Sequence, residues 1–593
     1  MSNDLPGSVP AAGQEPCCGT AEAATAADSC CAPAAKAEAV ADGAGCCGPS
    51  VQASDAPADA CCSPSAVTNP AVTGTAMTGM LQLLPTPSAR PVPVPTHGGS
   101  DLPVAVIGAG PVGLAAAAHL HEQGLPFVVL EAGDQVGASV RQWAHIGLFS
   151  PWRYDIDSAG RRLLDAAGWA APDDDDLPTG GELVEHYLQP LAKLPAIAEH
   201  LRLGARVTAI SRVGADRVRT AGRADLPFVI RLADGTEITA SAIIDASGTW
   251  RTPNPLGVNG LSAHGEPETA DLIDHALPDV LGADLDAHAG LHTVVVGSGH
   301  SAANTLLNLA RLAETAPGTR ITWAVRGGSA SRAFGGEDGD ELPARGALGS
   351  GLRTLADTGK ITLITGFGVH TVRRTDGGIE LVAADGRTLT GDRVVSATGF
   401  RPDHSIATEL RLDLDPILGC TRTLADLIDP NVHSCGTVSP HGYRELGQPE
   451  PNYYAVGMKS YGRAPTFLMA TGYEQVRSIV AALAGDFDAA DDVQLDLPET
   501  GVCSSNLVAE NAAREIAARF GLTPDVPITL ATTTMDLLPS SASTSDAVRA
   551  AADKIGLDQE VALQIAALTE QPGALPSVAG LISLTPAGGT CCS

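Results

Sequence analysis

The feature that most constrains the fold is a glycine-rich turn between an apolar strand and an Ala-rich helix. Val104 to Ile107 is a short apolar run that predicts a buried strand, and GAGPVG follows it at once. The Ala-rich stretch to Glu122 predicts a helix, and Phe127 to Leu130 predicts a second strand that ends at Glu131. Strand, glycine turn, helix, strand and acid in this order predict one unit of a parallel, dinucleotide-binding sheet.

Each glycine of this turn has its own physical role. Gly108 permits the tight turn, Gly110 lets the backbone approach a pyrophosphate, and Gly113 lets the helix pack closely on the strand. The N-terminus of the helix then faces the phosphates. Glu131 stands 21 residues beyond Gly110, at the end of the second strand, where a carboxylate can accept hydrogen bonds from both ribose hydroxyls.

A second unit of the same kind begins at His292. The stretch TVVVGSGHSAANTLLNLARL predicts a strand, a glycine turn and a helix, with Gly297, Gly299 and Ala302 at the three glycine positions. A strand from Arg320 to Val325 follows. The chain therefore carries two dinucleotide-binding units, one after the other.

The second unit differs from the first at the end of its second strand, where Arg326 replaces the acid. A guanidinium at this place can pair with the 2′-phosphate of NADPH, so the sequence favours NADPH over NADH. Arg332 is a second candidate for that phosphate. The alternative is that Arg326 is a solvated strand end without a ligand.

Two more apolar strands each end in a turn of two small residues and a glycine. They read AIIDASG (242–248) and RVVSATG (393–399), and one follows each nucleotide unit. Together the four motifs make the chain similar to flavoproteins with two dinucleotide-binding domains, over about residues 101–485. In that superfamily the first unit binds FAD, an inserted second unit binds NAD(P)H, and the chain then returns to complete the FAD domain.

The resemblance implies an α/β fold with two Rossmann-like domains, the NADPH domain being inserted in the FAD domain. It divides the chain into FAD-binding parts at 101–255 and 395–485 and an NADPH-binding domain at 256–394. Composition predicts a flexible, disordered arm at 1–99, because a segment rich in Ala, Pro, Gly and Ser buries too little apolar surface to offset its ordering entropy. An acidic linker and a small helical module are predicted at 486–593.

The same resemblance implies the cofactor-binding residues. By this resemblance, FAD is held by Gly108, Gly110, Gly113 and Glu131, and its neighbourhood is lined by Ala246, Ser247 and Gly248. Trp143, Thr398 and Gly399 are further cofactor-binding candidates. For NADPH the residues are Gly297, Ser298, Gly299, His300, Ser301 and Arg326. The helix in the return segment, within residues 452–480, would aim its N-terminus at the flavin pyrimidine ring.

The cysteines indicate which branch of the superfamily the chain resembles. Glutathione-reductase-like and mercuric-reductase-like enzymes place a cysteine pair soon after the first acid, where this chain has AGDQVGASVRQWAHIGLFSPWRYD. Thioredoxin reductases place a C-x-x-C in the NADPH domain, and this sequence contains none. Cys420, Cys435 and Cys503 are single, which is more typical of buried thiols than of redox groups. We therefore expect no built-in relay from flavin to a disulphide.

The remaining pattern resembles flavin-containing monooxygenases. Their fingerprint between the two units is F-x-G-x-x-x-H, and VNGLSAH places Val258, Gly260 and His264 at those positions. An aromatic segment from Trp143 to Tyr154 either lines a substrate cavity beside the flavin or packs the FAD domain. His145 and His264 are the candidate catalytic residues. Loops such as GASVRQW, NGLSAHGE and MKSYGRAPTF also resemble monooxygenase-like flavoproteins associated with bacterial arsenic resistance.

Five adjacent cysteine pairs stand apart from these motifs. They are Cys17 and Cys18, Cys30 and Cys31, Cys46 and Cys47, Cys61 and Cys62, and Cys591 and Cys592. A disulphide between neighbours strains the peptide between them, whereas two thiolates on one backbone suit a soft ion such as arsenite, Hg(II), Zn(II) or Cu(I). The terminal TCCS resembles the C-terminal pair of mercuric reductases. We interpret the pairs as a metal or metalloid site; the alternative is a low-complexity arm in which they have no ligand.

Charge and hydropathy limit the partners. The formal net charge of −31 argues against nucleic acid and anionic membranes, which need a basic surface. No apolar run approaches the length of a membrane span, and the first residues lack the pattern of a secretory signal, so we expect a cytoplasmic protein. The expected partner is a small-molecule or metalloid substrate, and a homodimer is left open.

Three functions fit these observations. The first is an NADPH-dependent FAD oxidoreductase, monooxygenase-like, that acts in metalloid or heavy-metal detoxification. The second is a metal- or metalloid-binding or delivery protein in which the flavin core is a scaffold or sensor. The third is a thioredoxin-reductase-like enzyme with an external thiol acceptor.

Overall fold

The computed structural model describes most of the chain after residue 101. The described residues are 102–335, 340, 342–430, 440–464, 467–495, 513, 516–523, 525–537, 541 and 543–569. The predicted arm at 1–99 and all five cysteine pairs lie outside them, as do Cys435 and Cys503.

The first segment, residues 102–255, forms a parallel sheet, helices and a small antiparallel sheet. Its elements are β1 (Val104–Ile107), α1 (Pro111–Glu122), β2 (Phe127–Leu130), α2 (Trp152–Asp155), α3 (Ser158–Ala166), α4 (Gly180–Glu182), α5 (Gln189–Lys193), α6 (Pro195–Ala198), β3 (Leu201–Arg202), β4 (Val207–Arg212), β5 (Phe228–Leu232), β6 (Glu237–Ala240) and β7 (Ala242–Asp245). β1 lies between β2 and β7 and is parallel to both. Every residue of these three strands is buried, as strands covered on both faces require.

The second segment, residues 256–401, forms a second parallel sheet. Its elements are β8 (Ile273–His275), α7 (Leu285–His288), β9 (His292–Val296), α8 (His300–Thr315), β10 (Arg320–Ala324), α9 (Ser331–Phe334), α10 (Pro343–Asp357), β11 (Thr362–Ile364), β12 (Val369–Thr375), β13 (Gly378–Ala383), β14 (Thr388–Gly391) and β15 (Arg393–Ser396). The strand order is β11-β10-β9-β15-β8, and β12 to β14 form an antiparallel sheet of their own. β10 ends at Ala324, one residue before the predicted Val325.

The third segment returns the chain to the first sheet. Its elements are α11 (Arg422–Ile428), β16 (Tyr453–Ala455), a 3-10 turn (Gly457–Tyr461), α12 (Met469–Ala484) and α13 (Phe487–Asp491). β16 pairs in parallel with β7, so the first sheet has the order β16-β7-β1-β2-β3. The α/β fold with a second nucleotide unit inserted in the first is therefore confirmed, whereas the domain boundaries at 255, 394 and 485 stay predictions.

The last described helices have a small apolar core of their own. They are α14 (Asp525–Leu537), α15 (Thr544–Ile555) and α16 (Gln559–Thr569). Leu530, Val548 and Ile565 are among the side chains buried between them. α15 ends at Gly556, whose φ of +71° is the left-handed conformation of a glycine helix stop. In the part of the chain that the structure describes, no helix is long and apolar enough to span a membrane.

Candidate cofactor-binding site

The first glycine loop has room for a ligand at only one of its three glycines. A Cβ on Gly113 would lie 2.0 Å from the carbonyl oxygen of Gly108, and a Cβ on Gly108 would lie 2.7 Å from that of Ala246. A Cβ on Gly110 would meet no atom within 4 Å. Gly108 and Gly113 are thus required by packing, whereas Gly110 borders the open space at the N-terminus of α1. This arrangement fits the pyrophosphate of a dinucleotide.

Glu131 lies at the end of β2 and closes this loop. One carboxylate oxygen accepts a hydrogen bond from the Ala109 amide and the other from the Gly133 amide, both at 2.7 Å. Each oxygen has a second lone pair, so the predicted contacts with ribose hydroxyls are compatible with these bonds. The role of Glu131 in holding the loop itself was not predicted, because it depends on amides that carry no sequence signal.

The second glycine loop repeats the arrangement between β9 and α8. A Cβ on Gly297 would lie 2.1 Å from the carbonyl oxygen of Ala397, whereas a Cβ on Gly299 would meet no atom within 4 Å. Ala302, at the third position, is fully buried. The open backbone at Gly299 fits a second dinucleotide.

The two small-residue turns that the sequence singled out lie against the two glycine loops. Ala246, in the 246–248 turn, packs on Gly108, and Ala397, in the 397–399 turn, packs on Gly297. Gly248 and Gly399 end these turns with φ angles of +70° and +87°, which favour glycine.

The chain segment that follows the first turn is hydrogen-bonded to the second turn. The Asn254 amide donates to the Gly399 carbonyl at 2.9 Å, and the Thr398 hydroxyl donates to the Asn254 carbonyl at 2.7 Å. The rings of Trp250 and Phe400 stack with centroids 4.9 Å apart. These contacts join the two segments by which the chain passes between the first and second nucleotide units, and they bring both turns into one region.

The predicted aromatic segment divides between the core and this region. Trp152 is buried in the core of the first sheet. Trp143 is half-buried, with its ring centroid 6.5 Å from that of Trp250. Phe149 is half-buried, with its ring 5.0 Å from that of His300 at the start of α8. Phe149 therefore links the first segment to the second glycine loop.

His300 stands in a cleft beside a buried ion pair. The Arg345 and Asp340 side chains are joined by two contacts of 2.7 Å and line the cleft together with Ser298, Gly299 and Phe334. Loss of hydration in this crowded cleft, and then the charge of Arg345, lower the pKa of His300 to about 4. The residue is nevertheless exposed, so His300 presents a neutral imidazole to a ligand at pH 7.

Arg326 follows β10 as an exposed side chain. It forms no hydrogen bond or ion pair with any residue that the structure describes. The side chain of Arg332 lies outside the described residues. Ser298 is exposed and Ser301 is half-buried in the loop at the start of α8.

The two candidate catalytic histidines occupy different places. His145 Nε2 is a buried atom without a hydrogen-bond partner in the described residues. A ligand or a water molecule would have to supply that hydrogen bond. His264 is exposed and lies against β12, where its ring centroid is 5.0 Å from that of His370. No hydrogen bond, ion pair or ring contact of the described residues joins His145 to His264.

The described residues contain one cysteine, Cys420. It is buried, and burial, followed by the charge of Asp415, raises the pKa of its thiol to about 12. A thiol of this kind is a poor nucleophile. Within the same residues, no group of three or more His, Cys, Asp or Glu could hold a metal ion.

A buried ion pair behind the first turn was not predicted. Lys459 Nζ, in the 3-10 turn after β16, lies 2.6 Å from Oδ2 of Asp245, the last residue of β7. Its signal in the sequence is weak: an aspartate that ends an apolar strand, and a lysine soon after another.

Each glycine loop leaves one backbone position open to a ligand. An acid follows the first loop, and a guanidinium without a partner among the described residues follows the second. These features define a FAD-dependent oxidoreductase that uses NAD(P)H. A sequence profile of the pyridine nucleotide-disulphide oxidoreductase family matches residues 102–458, and the chain belongs to that family. No curated protein matches the chain.

Solved structures that match the chain include two reductases and a flavin-containing monooxygenase. Bacillithiol disulfide reductase from Bacillus cereus is 20% identical, with a TM-score of 0.47 and coverage of 65% of this chain and 99% of that one. A flavin-containing monooxygenase from Stenotrophomonas maltophilia is 20% identical, with a TM-score of 0.39 and coverage of 64% and 98%. Thioredoxin reductase from T. acidophilum is 16% identical, with a TM-score of 0.41 and coverage of 65% and 98%.

Proposed function

We propose that the protein is an NADPH-dependent, monooxygenase-like FAD oxidoreductase that passes electrons to O2 or to another external acceptor. The observation that carries this proposal is the pair of open glycine loops, each packed on a small-residue turn. The segment after the first turn is hydrogen-bonded to the second turn. When bound, FAD would supply the redox chemistry, taking two electrons from NADPH for the acceptor.

The chain's own residues bind and orient the two nucleotides in this proposal. The backbone at Gly110 and the N-terminus of α1 receive the FAD pyrophosphate, and Glu131 holds its ribose. The backbone at Gly299 receives the second pyrophosphate. Arg326 pairs with the 2′-phosphate, which supports NADPH as the donor.

The acceptor is proposed to be external because of the cysteines. Family members that reduce disulphides internally need a cysteine pair beside the flavin. This sequence has no C-x-x-C, and residues 132–155, which follow the first acid, contain no cysteine. Cys420, the one described cysteine, is buried and has a raised pKa. In a monooxygenase reaction one atom of O2 enters the substrate and the other leaves as water, so no protein thiol is consumed.

We further propose that the five cysteine pairs capture a soft metal or metalloid ion and that the enzyme acts in its detoxification. The support is chemical: ten thiols in adjacent pairs offer two or three sulfurs to arsenite or Hg(II) without a preformed site. The resemblance of several loops to arsenic-associated flavoproteins points the same way.

Flavin reduction by NADPH, with and without arsenite, tests this proposal. The native chain is compared with a variant in which all ten paired cysteines are replaced by serine. We expect arsenite to raise turnover in the native chain and not in the variant. Equal turnover in both proteins would show that the paired thiols take no part in the enzyme's reaction. Turnover only with an added disulphide-containing protein would favour an external disulphide acceptor.

A further inference from the structure

Phe149, in the first segment, lies against two side chains of the second nucleotide unit. Its ring centroid is 5.0 Å from that of His300, and the guanidinium carbon of Arg345 is 5.9 Å from the same ring centroid. His300 begins α8 and Arg345 lies in α10, and both line the cleft beside the second glycine loop. An aromatic side chain of one nucleotide unit is therefore in contact with the ligand cleft of the other.

The loop that carries Phe149 is fixed on both sides within the first segment. The Leu148 amide donates to the Pro178 carbonyl at 2.7 Å, and the buried Ser150 hydroxyl donates to Asp155 Oδ1 at 2.8 Å. These bonds hold the residues directly before and after Phe149. The position of its ring is therefore set by the first segment and not by the second unit that it touches.

His300 is the side chain on which such a contact has the largest effect. It directly follows Gly299, the open position of the second loop, and it is exposed in the cleft. A ligand whose pyrophosphate lies at Gly299 and at the N-terminus of α8 consequently lies next to His300. An exposed side chain samples several rotamers, and fixing it when a ligand binds costs conformational entropy.

The contact with Phe149 restricts the His300 ring before any ligand binds. The two rings are tilted by 44°, an arrangement in which neighbouring aromatic rings attract each other. On the same face of the cleft, Arg345 is itself held by Asp340 through two contacts of 2.7 Å. His300 therefore stands between fixed neighbours, one from each nucleotide unit.

We propose that Phe149 is a positioning residue for the second nucleotide. By holding the His300 ring it pre-organises the cleft at Gly299, so that a residue of the first segment contributes to nucleotide binding by the second unit. Phe149 acts through His300 and does not itself touch the ligand. The inference rests on the proposed function, because it assigns the second loop to a pyridine nucleotide, but it is independent of the acceptor and of the place of the flavin ring.

The test is the dissociation constant of NADP+ for the FAD-loaded chain, measured by isothermal titration calorimetry. NADP+ binds without reducing the flavin. Phe149→Ala should raise this constant roughly twofold to tenfold, the effect of one side chain that must be immobilised on binding, and should leave FAD binding unchanged. Phe149→Tyr, which keeps the ring, should stay within about twofold of the native chain.

A matched control comes from the same segment. Trp169 is also half-buried, but its ring packs on Tyr187 within the first segment. Trp169→Ala should leave the dissociation constant of NADP+ unchanged. If Phe149→Ala does not fold, Phe149→Leu takes its place with the same sign expected, because it keeps apolar volume without a ring.

A double-variant cycle separates the positioning of His300 from a general loosening of the protein. His300→Ala alone should weaken NADP+ binding, and Phe149→Ala should add almost nothing in that background, because the partner ring is gone. An equal effect of Phe149→Ala in both backgrounds would overturn the proposal, as would an unchanged dissociation constant in Phe149→Ala. Tighter binding in Phe149→Ala would show that the ring obstructs the cleft, which also overturns it.

Failure of the proposed function gives a different result. A native chain that binds NAD+ but not NADP+ would remove the preference for NADPH, and the cycle would then be measured with NAD+. A native chain that binds neither nucleotide would overturn the proposed function, and this inference with it.

Discussion

At the scale of single residues, the proposed preference for NADPH is assigned to Arg326. Its guanidinium is exposed after β10 without a partner among the described residues, whereas Arg320 stands exposed at the start of the same strand. The lost charge-assisted hydrogen bonds are worth about 1.5–3 kcal/mol. Arg326→Gln should therefore raise the KM for NADPH by roughly tenfold or more.

Steady-state kinetics with both nucleotides checks this prediction. The KM for NADH, which lacks the 2′-phosphate, should change little in Arg326→Gln. Arg320→Gln should leave both constants as they are. An unchanged KM for NADPH in Arg326→Gln would mean that the guanidinium is only a solvated strand end.

Asp155 should make stability depend on pH. It is 1% exposed, its Oδ1 accepts from the Ser150 hydroxyl at 2.8 Å, and Oδ2 has no partner in the described residues. Burial raises the pKa of this carboxyl from 3.8 to about 7. Its favourable contribution to stability is present below pH 4 and is lost as pH rises through 7, by at most about 4 kcal/mol.

Thermal unfolding at pH 5 and pH 8 checks this sign. Asp155→Asn should stabilise the protein relative to the native chain at pH 8 and clearly less at pH 5. Asp376→Asn, in an exposed hairpin turn, should show no such difference between the two pH values. A difference that is the same at both pH values would show that Asp155 is not protonated on burial.

At the scale of elements, we predict that some glycines of the two loops affect only cofactor binding, whereas others affect the stability of the fold. A methyl group at Gly110 meets no protein atom, whereas one at Gly113 would lie 2.0 Å from a backbone oxygen. Gly110→Ala should keep the melting temperature of the cofactor-free protein and weaken FAD binding by about tenfold or more, or at least about 1.4 kcal/mol. Gly113→Ala should lower that melting temperature itself.

The second loop gives the matched comparison. A methyl group at Gly299 also meets no protein atom. Gly299→Ala should weaken NADPH binding and leave FAD binding unchanged, as isothermal titration and FAD fluorescence would show. Loss of FAD from Gly299→Ala, or unaltered FAD binding in Gly110→Ala, would contradict the assignment of the loops.

The sequence was sufficient for the elements whose signal is local. The strand–glycine–helix order around Gly108 and Gly297 could be predicted because the close packing that requires glycine involves consecutive residues. The structure contains both units. Lys459 with Asp245, and Arg212 with Glu450, are separated by 214 and 238 residues. Such pairs are created by the return of β16 to the first sheet and have no periodicity from which to predict them.

At the scale of the whole molecule, the nucleotide-binding core is separate in sequence from the ten paired cysteines. The family match spans residues 102–458, and every pair lies outside that range. A core that holds FAD and both glycine loops should accept electrons from NADPH whether or not the paired thiols are present. The paired thiols should affect only the later transfer of electrons from reduced FAD to the acceptor.

The most direct test is anaerobic mixing of the purified, FAD-loaded chain with NADPH, followed by mixing with O2. No thiol compound is added in either step. We predict that the flavin absorbance near 450 nm bleaches with NADPH and returns with O2. The variant with ten serines should behave the same way. Bound FAD that NADPH does not bleach, or bleaching that reverses only when a disulphide is added, would contradict the central claim.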